Sequence, residues 1–197
     1  MEILLLLSSY LLGAVPFGLV VGKFAGVDVR QHGSKNIGAT NVSRTLGKKL
    51  GIITLFLDVM KGFLPMLIAA AILGDTTNAS IIVCACGVFA VLGHMFPVYL
   101  KFKGGKGVAT GLGVFLFLSP LAILISMAIF AGTVAFTGFV SAGSLMASAL
   151  FPLWLFLLGE TRVIIITAAI IAVLIWAKHH ENIKRLVKGE EKSWKKK

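Results

Sequence analysis

Two short connections in this chain carry more hydrogen-bond donors than a turn between helices needs. The first, from His32 to Arg44, reads HGSKNIGATNVSR. It sets Ser34, Asn36, Thr40, Asn41 and Ser43 among the cations Lys35, Arg44 and the earlier Arg30, with Gly33 and Gly38 between them. Hydroxyl, amide and guanidinium groups all donate, and glycine lets backbone N–H groups approach a ligand. An oxyanion is the natural guest, and the planar fork of Arg44 suits it as a bidentate clamp. The same residue types also cap helices, so on composition alone an ordinary polar loop stands beside the oxyanion reading.

The second connection, Lys101 to Thr110, reads KFKGGKGVAT and leads directly into an apolar run. Glycines before a helix N-terminus, flanked by lysines, form an anion site from backbone N–H groups and the positive end of the helix dipole. Its glycine and lysine spacing is not that of a Walker loop. The plainer alternative is a tight turn with lysines that only mark topology. The density of Lys103, Gly104, Gly105, Lys106 and Gly107 favours phosphate.

A third polar segment, KHHENIKRLVKGEE from Lys178 to Glu191, follows the last apolar run. His179 and Asn182 are three residues apart and share a face if the segment is helical. That face is either turned toward the first two loops or part of an amphipathic tail on anionic headgroups. The closing KSWKKK, residues 192–197, reads as a basic membrane-surface tail.

Inside an apolar stretch, Asp58 and Lys61 have i, i+3 spacing and are expected to neutralise each other as a structural ion pair. His94, in GHMFP, is expected to be a satisfied helix-end histidine, with orientation of a loop residue as the alternative. Cys84 and Cys86 point about 200° apart on a helix, which disfavours a mutual disulfide or a shared metal. No set of His, Cys, Asp and Glu has metal-ligand spacing, and no GxSxG elbow is present. Neither a metal nor a cofactor is expected.

The elements that must position these loops are membrane helices. The chain is 57% hydrophobic and 14% charged, against about half and about a quarter in soluble domains. A bilayer span needs roughly 20 apolar residues. Candidate spans run over Ile3 to Val21, Gly51 to Leu73, Ala79 to Leu100, a long block from Gly107 to Leu158, and Val163 to Ala177. The N-terminus lacks the basic n-region of a signal peptide and reads as a retained first span.

A net charge of +11 would suit a nucleic-acid binder, but its distribution does not. Lysines and arginines cluster between Lys23 and Lys49, between Lys101 and Lys106, and after Lys178, separated by apolar runs. That is the positive-inside pattern. With all three clusters cytoplasmic, the N-terminus is periplasmic, the C-terminus is cytoplasmic, and the long block crosses an odd number of times. The pattern predicts an all-α polytopic membrane protein, one domain over residues 1–197, with seven short transmembrane helices. Breaks are expected near Ser119-Pro120 and from Gly138 to Gly143. Five spans with a re-entrant segment is the alternative.

Taken together, the segments PFG, GSKNIGATNVSR, LDVMKG, GHMFPVYLKFKGGKGVAT, FVSAGS and HHENIKRLVKGEE cover nearly the whole chain. In that order they resemble the bacterial acyl-phosphate:glycerol-3-phosphate acyltransferase family. The resemblance implies acyl transfer from acyl phosphate to the 1-hydroxyl of glycerol 3-phosphate, giving lysophosphatidic acid and inorganic phosphate. It carries site roles onto Ser34 and Arg44, onto the phosphate loop Gly104, Gly105, Lys106 and Gly107 with Lys103 beside it, and onto His179 and Asn182. Asn36, Thr40, Asn41 and Ser141 join the expected phosphate-binding set, while Glu191, with Gly189, is expected to be structural. Many members have Gly where this chain has Lys35, and a basic residue often stands where this chain has His180. The implied setting is the bacterial inner membrane, with the site at the cytoplasmic face of a monomer in contact with membrane lipids. A transporter for a phosphorylated metabolite is the competing class, but a transporter keeps its site near the midplane, whereas these donors lie at the span ends. A small lipid-headgroup scaffold is the third reading, and the dense glycine motifs argue against it.

Overall fold

The structure is a computed structural model that describes residues 1–194. Lys195, Lys196 and Lys197 of the expected basic tail lie outside the described residues. Among the described residues the regular structure is helical throughout. The chain forms two compact units, Met1–Phe117 and the remainder from Leu118.

The first unit opens with α1 (Glu2–Gly13) and α2 (Phe17–Phe24), which together make one apolar span of 23 residues. Pro16 interrupts it, because the proline ring disfavours helical geometry at Val15 and offers no N–H. Then come α3 (Ala39–Leu46), α4 (Lys48–Leu73), α5 (Ala79–Met95) and α6 (Val108–Leu118). Helix α5 packs on α1 and α4, and α3 packs on α4. These helices approach through small residues. A Cβ at Gly13 would overlap the backbone of Ala90, and one at Gly113 would overlap the carbonyl of Val59. Lipid tails offer no hydrophobic drive for helix association, so close backbone approach supplies the packing.

The second unit contains α7 (Pro120–Thr137), α8 (Val140–Leu157), α9 (Arg162–Lys178) and α10 (His180–Val187), with α8 packed against both α7 and α9. Helices α9 and α10 meet at 60°. Outward-facing residues in both units are apolar, among them Leu4, Phe56, Leu124, Phe136 and Val173. In water such a surface would aggregate. In hydrocarbon it is the solvated face.

Among the described residues five helical segments are long and apolar enough to cross a membrane, or six if the bent α9–α10 pair is one span. The expected breaks fall at Ser119 and at Gly138–Phe139. The first piece of the long block is shorter than the roughly 17 residues that even division predicts. Helix α6 has 11 residues and rises about 16 Å, roughly half of a hydrocarbon core. The glycine loop occupies the sequence up to Gly107, and Pro120 begins the next helix, so no residues are left to lengthen it.

Gly113→Ala should test the α4–α6 contact. The added methyl has no space against Val59, and overpacking of this kind costs about 1–3 kcal/mol. The expected result is a lower thermal midpoint in detergent, while Gly132→Ala, where a Cβ meets nothing, should leave it unchanged.

Candidate functional site

The first loop is held from below by Val29 and Val42, both fully buried with Val21 and backed by Leu46, Leu50 and Leu57. Burying side chains of this size contributes about 1.5–3 kcal/mol each, which fixes both ends of the loop. Asn41 organises the middle. Its amide donates to the carbonyls of Val29, His32 and Asn36, and its Oδ1 accepts from the N–H of Ser34 at 2.7 Å. Asn41 was expected to offer donors to a phosphate. In the structure it is 1% exposed and its amide shapes the loop. Asn36 also contributes locally, because its Oδ1 accepts the N–H of Gly38 at 2.9 Å in the turn that precedes α3. Thr40 lies in the first turn of α3, half-buried, while Ser34 and Arg44 are exposed.

Arg30 forms a two-point pair with Asp28, Nε to Oδ1 at 2.9 Å and an outer guanidinium nitrogen to Oδ2 at 2.6 Å. Those hydrogen bonds from Arg30 hold the Asp28 carboxyl at a pKa of about 2. The Asp-x-Arg spacing was the available signal for this pair. Lys35 adopts φ 58°, in the left-handed region. That conformation costs a residue with a Cβ roughly 1–2 kcal/mol and costs glycine nothing. A glycine at this place would need no such strain.

The second loop rests on His94. The backbone carbonyl of His94 accepts the N–H of Gly105 at 3.0 Å, and a Cβ on Gly105 would overlap its ring Nε2. The loop therefore needs glycine at 105 to lie flat on the imidazole. Gly107 turns into α6 at φ 82°, and the first N–H groups of that helix have no partner within it. Lys101 and Phe102 also have positive φ, 51° and 63°, a strained pair of the kind found at functional loops. Lys103 is exposed, Gly104 and Lys106 are half-buried, and Gly105 and Gly107 are buried.

Beneath this loop lies a buried ionic group. The Lys61 ammonium sits 2.8 Å from Asp58 Oδ1, with both side chains at most 2% exposed. It also donates to the Val15 carbonyl at 2.8 Å and lies 5.6 Å from the centre of the Phe17 ring. His94 Nδ1 is 3.7 Å from Asp58 Oδ1. The expected Asp58–Lys61 pair is present and does more than neutralise itself, since it also reaches the Val15 carbonyl at the Pro16 break and the histidine under the glycine loop. Sequence spacing could not reveal the Val15 contact, which joins residues 46 apart.

In the second unit, His179 and Asn182 were expected on one helical face. His179 stands at the junction, ending α9 and occupying the N-cap position of α10, and Asn182 lies in the first turn of α10. Both are buried, at 2% and 4% exposure. The Nδ1 of His179 lies 2.8 Å from the Ile175 carbonyl. A carbonyl only accepts, so neutral His179 carries its proton on Nδ1 and keeps a lone pair on Nε2. Glu191 gathers three donors. Ser141 Oγ reaches its Oε1 at 2.7 Å, Asn182 Nδ2 reaches the same oxygen at 2.6 Å, and Arg185 Nε reaches Oε2 at 2.7 Å. Gly189, at φ 71°, lets the chain reverse through paired bonds from Gly189 to Leu186 and from Glu190 to Arg185, which is what carries Glu191 back. Burial pushes the Glu191 carboxyl up, but the hydrogen bonds from Arg185, Ser141 and Asn182 outweigh it and hold the group below its usual range. Arg185 is the residue here for which sequence reasoning offered no role. Its signal was the i, i+4 spacing from Glu181, which it also approaches at 3.8 Å.

Apolar helices of spanning length, joined by basic and glycine-rich connections, define an integral membrane protein. The chain belongs to the glycerol-3-phosphate acyltransferase family, whose model matches residues 3–189. The glycerol-3-phosphate acyltransferase of Desulfotalea psychrophila (strain LSv54 / DSM 12343) is 67% identical over 197 residues, covering 100% of both chains. That of Geobacter sulfurreducens (strain ATCC 51573 / DSM 12127 / PCA) is 45% identical over 98% of each. Two solved forms of PlsY (YgiH), an integral membrane glycerol 3-phosphate acyltransferase, share the fold. The glycerol 3-phosphate form has a TM-score of 0.91 at 44% identity, covering 98% of this chain and 94% of that one. The lysophosphatidic acid form has a TM-score of 0.90 at 43% identity, with the same coverage.

Two outcomes test the buried charges. Lys61→Met leaves Asp58 without its counter-charge in a dry site, which should cost about 3–5 kcal/mol, read as a large fall in detergent melting temperature; replacing both residues by apolar ones should cost less. For Glu191, the depressed native pKa means that its stabilisation is complete above the ordinary carboxylate value of 4.5 and is lost as pH falls below it. Melting curves carried from pH 7 down to about pH 3 should therefore drop for the parent protein once pH passes below the ordinary carboxylate value, and flatten in Glu191→Gln.

Proposed function

We propose that this protein transfers a fatty acyl group from acyl phosphate to the 1-hydroxyl of glycerol 3-phosphate, releasing lysophosphatidic acid and inorganic phosphate. The observation that carries this reading is the likeness, along almost the whole chain, to a fold solved in a glycerol 3-phosphate form and a lysophosphatidic acid form. Two glycine-bearing, lysine-flanked loops in one unit support it, because each substrate of such a reaction carries phosphate.

An acyl phosphate is a mixed anhydride and already activated, so positioning and charge stabilisation suffice without a covalent intermediate. The glycerol 1-oxygen attacks the acyl carbonyl carbon, the bond from that carbon to the phosphate oxygen breaks, and phosphate leaves. The hydroxyl proton passes to a substrate phosphate oxygen; His179 Nε2 is the rival acceptor. In this reading Arg44, Lys103, Lys106 and the backbone of Gly104, Gly105 and Gly107 hold phosphate, with Asn36, Thr40, Asn41 and Ser141 shaping or extending that set. Ser34 supplies a donor near the reacting carbonyl, and Asn182 keeps the site role that the family resemblance gives it. Glu191, Asp58 and Lys61 keep the machinery in place.

The protein works in this reading as a monomer in the bacterial inner membrane, with the site at the cytoplasmic face and lipid around it. Seven crossings, α6 being the short one, keep all three basic clusters on one side. The N-terminus is then periplasmic and the C-terminus cytoplasmic.

Purified protein in detergent, given acyl phosphate and glycerol 3-phosphate, should form lysophosphatidic acid and phosphate in equal amounts. An acyl thioester in place of acyl phosphate should give no product. Ser34→Ala should lower kcat by about 10²–10³. A rate that stays flat from about pH 6 to pH 8, with substantial activity left in His179→Ala, identifies the substrate as proton acceptor. Loss of most activity in His179→Ala across the same pH range, with both KM values held, assigns that role to His179. If neither lysophosphatidic acid nor phosphate appears, the reading fails.

A further inference from the structure

We propose that Lys35 is a substrate-phosphate contact of the first loop, retained in a left-handed backbone conformation for its charge. The inference rests on the reaction proposed above. Lys35 stands between two locked neighbours. The N–H of Ser34 is held by Asn41 Oδ1 and the N–H of Lys35 by the His32 carbonyl at 2.9 Å. On the other side, Asn36 is fixed through its own Oδ1 and through its carbonyl, which accepts from the Asn41 amide at 2.8 Å. The chain cannot relax φ at Lys35 without giving up bonds made by a fully buried asparagine, so the conformation is imposed on whatever residue occupies the position.

Glycine would occupy it without strain. A lysine there is explained neither by packing, since it is exposed, nor by an ion pair, since among the described residues no carboxylate lies within 4.0 Å of its ammonium. Arg30 in the same connection is taken up by Asp28, and Lys61 by Asp58. Lys35 thus carries a charge that the fold does not use. A flexible stem ending in three donors, one residue from Ser34, suits the dianionic phosphate of either substrate.

The test is a set of three variants assayed with glycerol 3-phosphate and acyl phosphate varied in turn. Lys35→Gly should raise the KM for one phosphate substrate about three- to tenfold, change kcat less than twofold, and raise the detergent melting temperature by about 2–4 °C. The opposite signs of the two effects are the signature. Lys35→Asn, neutral but tolerant of the left-handed region, should raise the same KM with a smaller gain in melting temperature. Lys35→Arg should keep KM within twofold. The substrate whose KM rises is the one whose phosphate Lys35 holds. Both KM values unchanged in Lys35→Gly and Lys35→Asn, or a rise of equal size in Lys35→Arg, would overturn the proposal while the parent enzyme remains active. A parent protein that makes no lysophosphatidic acid removes the reaction itself, and this assignment with it.

Discussion

A single ammonium group inside the first unit holds together three features that hydrocarbon would otherwise punish. At the Pro16 break the Val15 carbonyl leaves the helical pattern and accepts the Phe17 N–H at 3.1 Å across a tight turn, and backbone groups at a break inside a span need donors from within the protein. Lys61 also donates to that carbonyl. The same nitrogen neutralises Asp58, and Asp58 in turn lies beside the ring of His94. His94 then forms the bed on which Gly105 lies. A broken first span, a charged α4 and a flat glycine loop are therefore one arrangement. This explains why two charges are tolerated at such depth: neither stands in lipid, and each has a task that an apolar residue could not perform.

The second unit uses the mirror-image device, a carboxylate collecting donors. Glu191 receives hydrogen bonds from Ser141 at the start of α8 and from Asn182 and Arg185 on α10. The next residues continue the clasp, with the Trp194 N–H and the Ser193 hydroxyl both reaching the Gly138 carbonyl. These contacts tie α10 across the sharp bend from α9, because a helix of eight residues is too short to be stable by itself.

The membrane character, the helical breaks and the ion pair were legible because they are local or compositional. Apolar runs set the spans, Ser119-Pro120 and Gly138 set the breaks, and i, i+3 spacing set Asp58 against Lys61. What sequence could not supply were the partners across long separations. Asn41 has the composition of a ligand donor, yet its amide meets three loop carbonyls, a fact that depends on Val29 and Val42 being pinned beneath it. His94 reads in sequence as a helix-end histidine with orientation of a loop residue as the alternative, and the glycine loop lying on its ring favours the alternative. The shortness of α6 was foreseeable from the Gly107 to Ser119 interval but was masked by dividing the long block evenly. For the candidate site, sequence and family resemblance named the residues, while the structure separates those facing outward, such as Ser34 and Arg44, from those that build the loops.

The Ser141–Glu191 contact also bears on biosynthesis. Fifty residues separate the two partners, and bacterial-type elongation at about 5–20 residues per second puts several seconds between their appearance. In that interval the Ser141 hydroxyl has no Glu191 to donate to, and the whole of α8, α9 and α10 is made before the acceptor exists. The polar clasp can therefore close only after every helix it ties together has been synthesised.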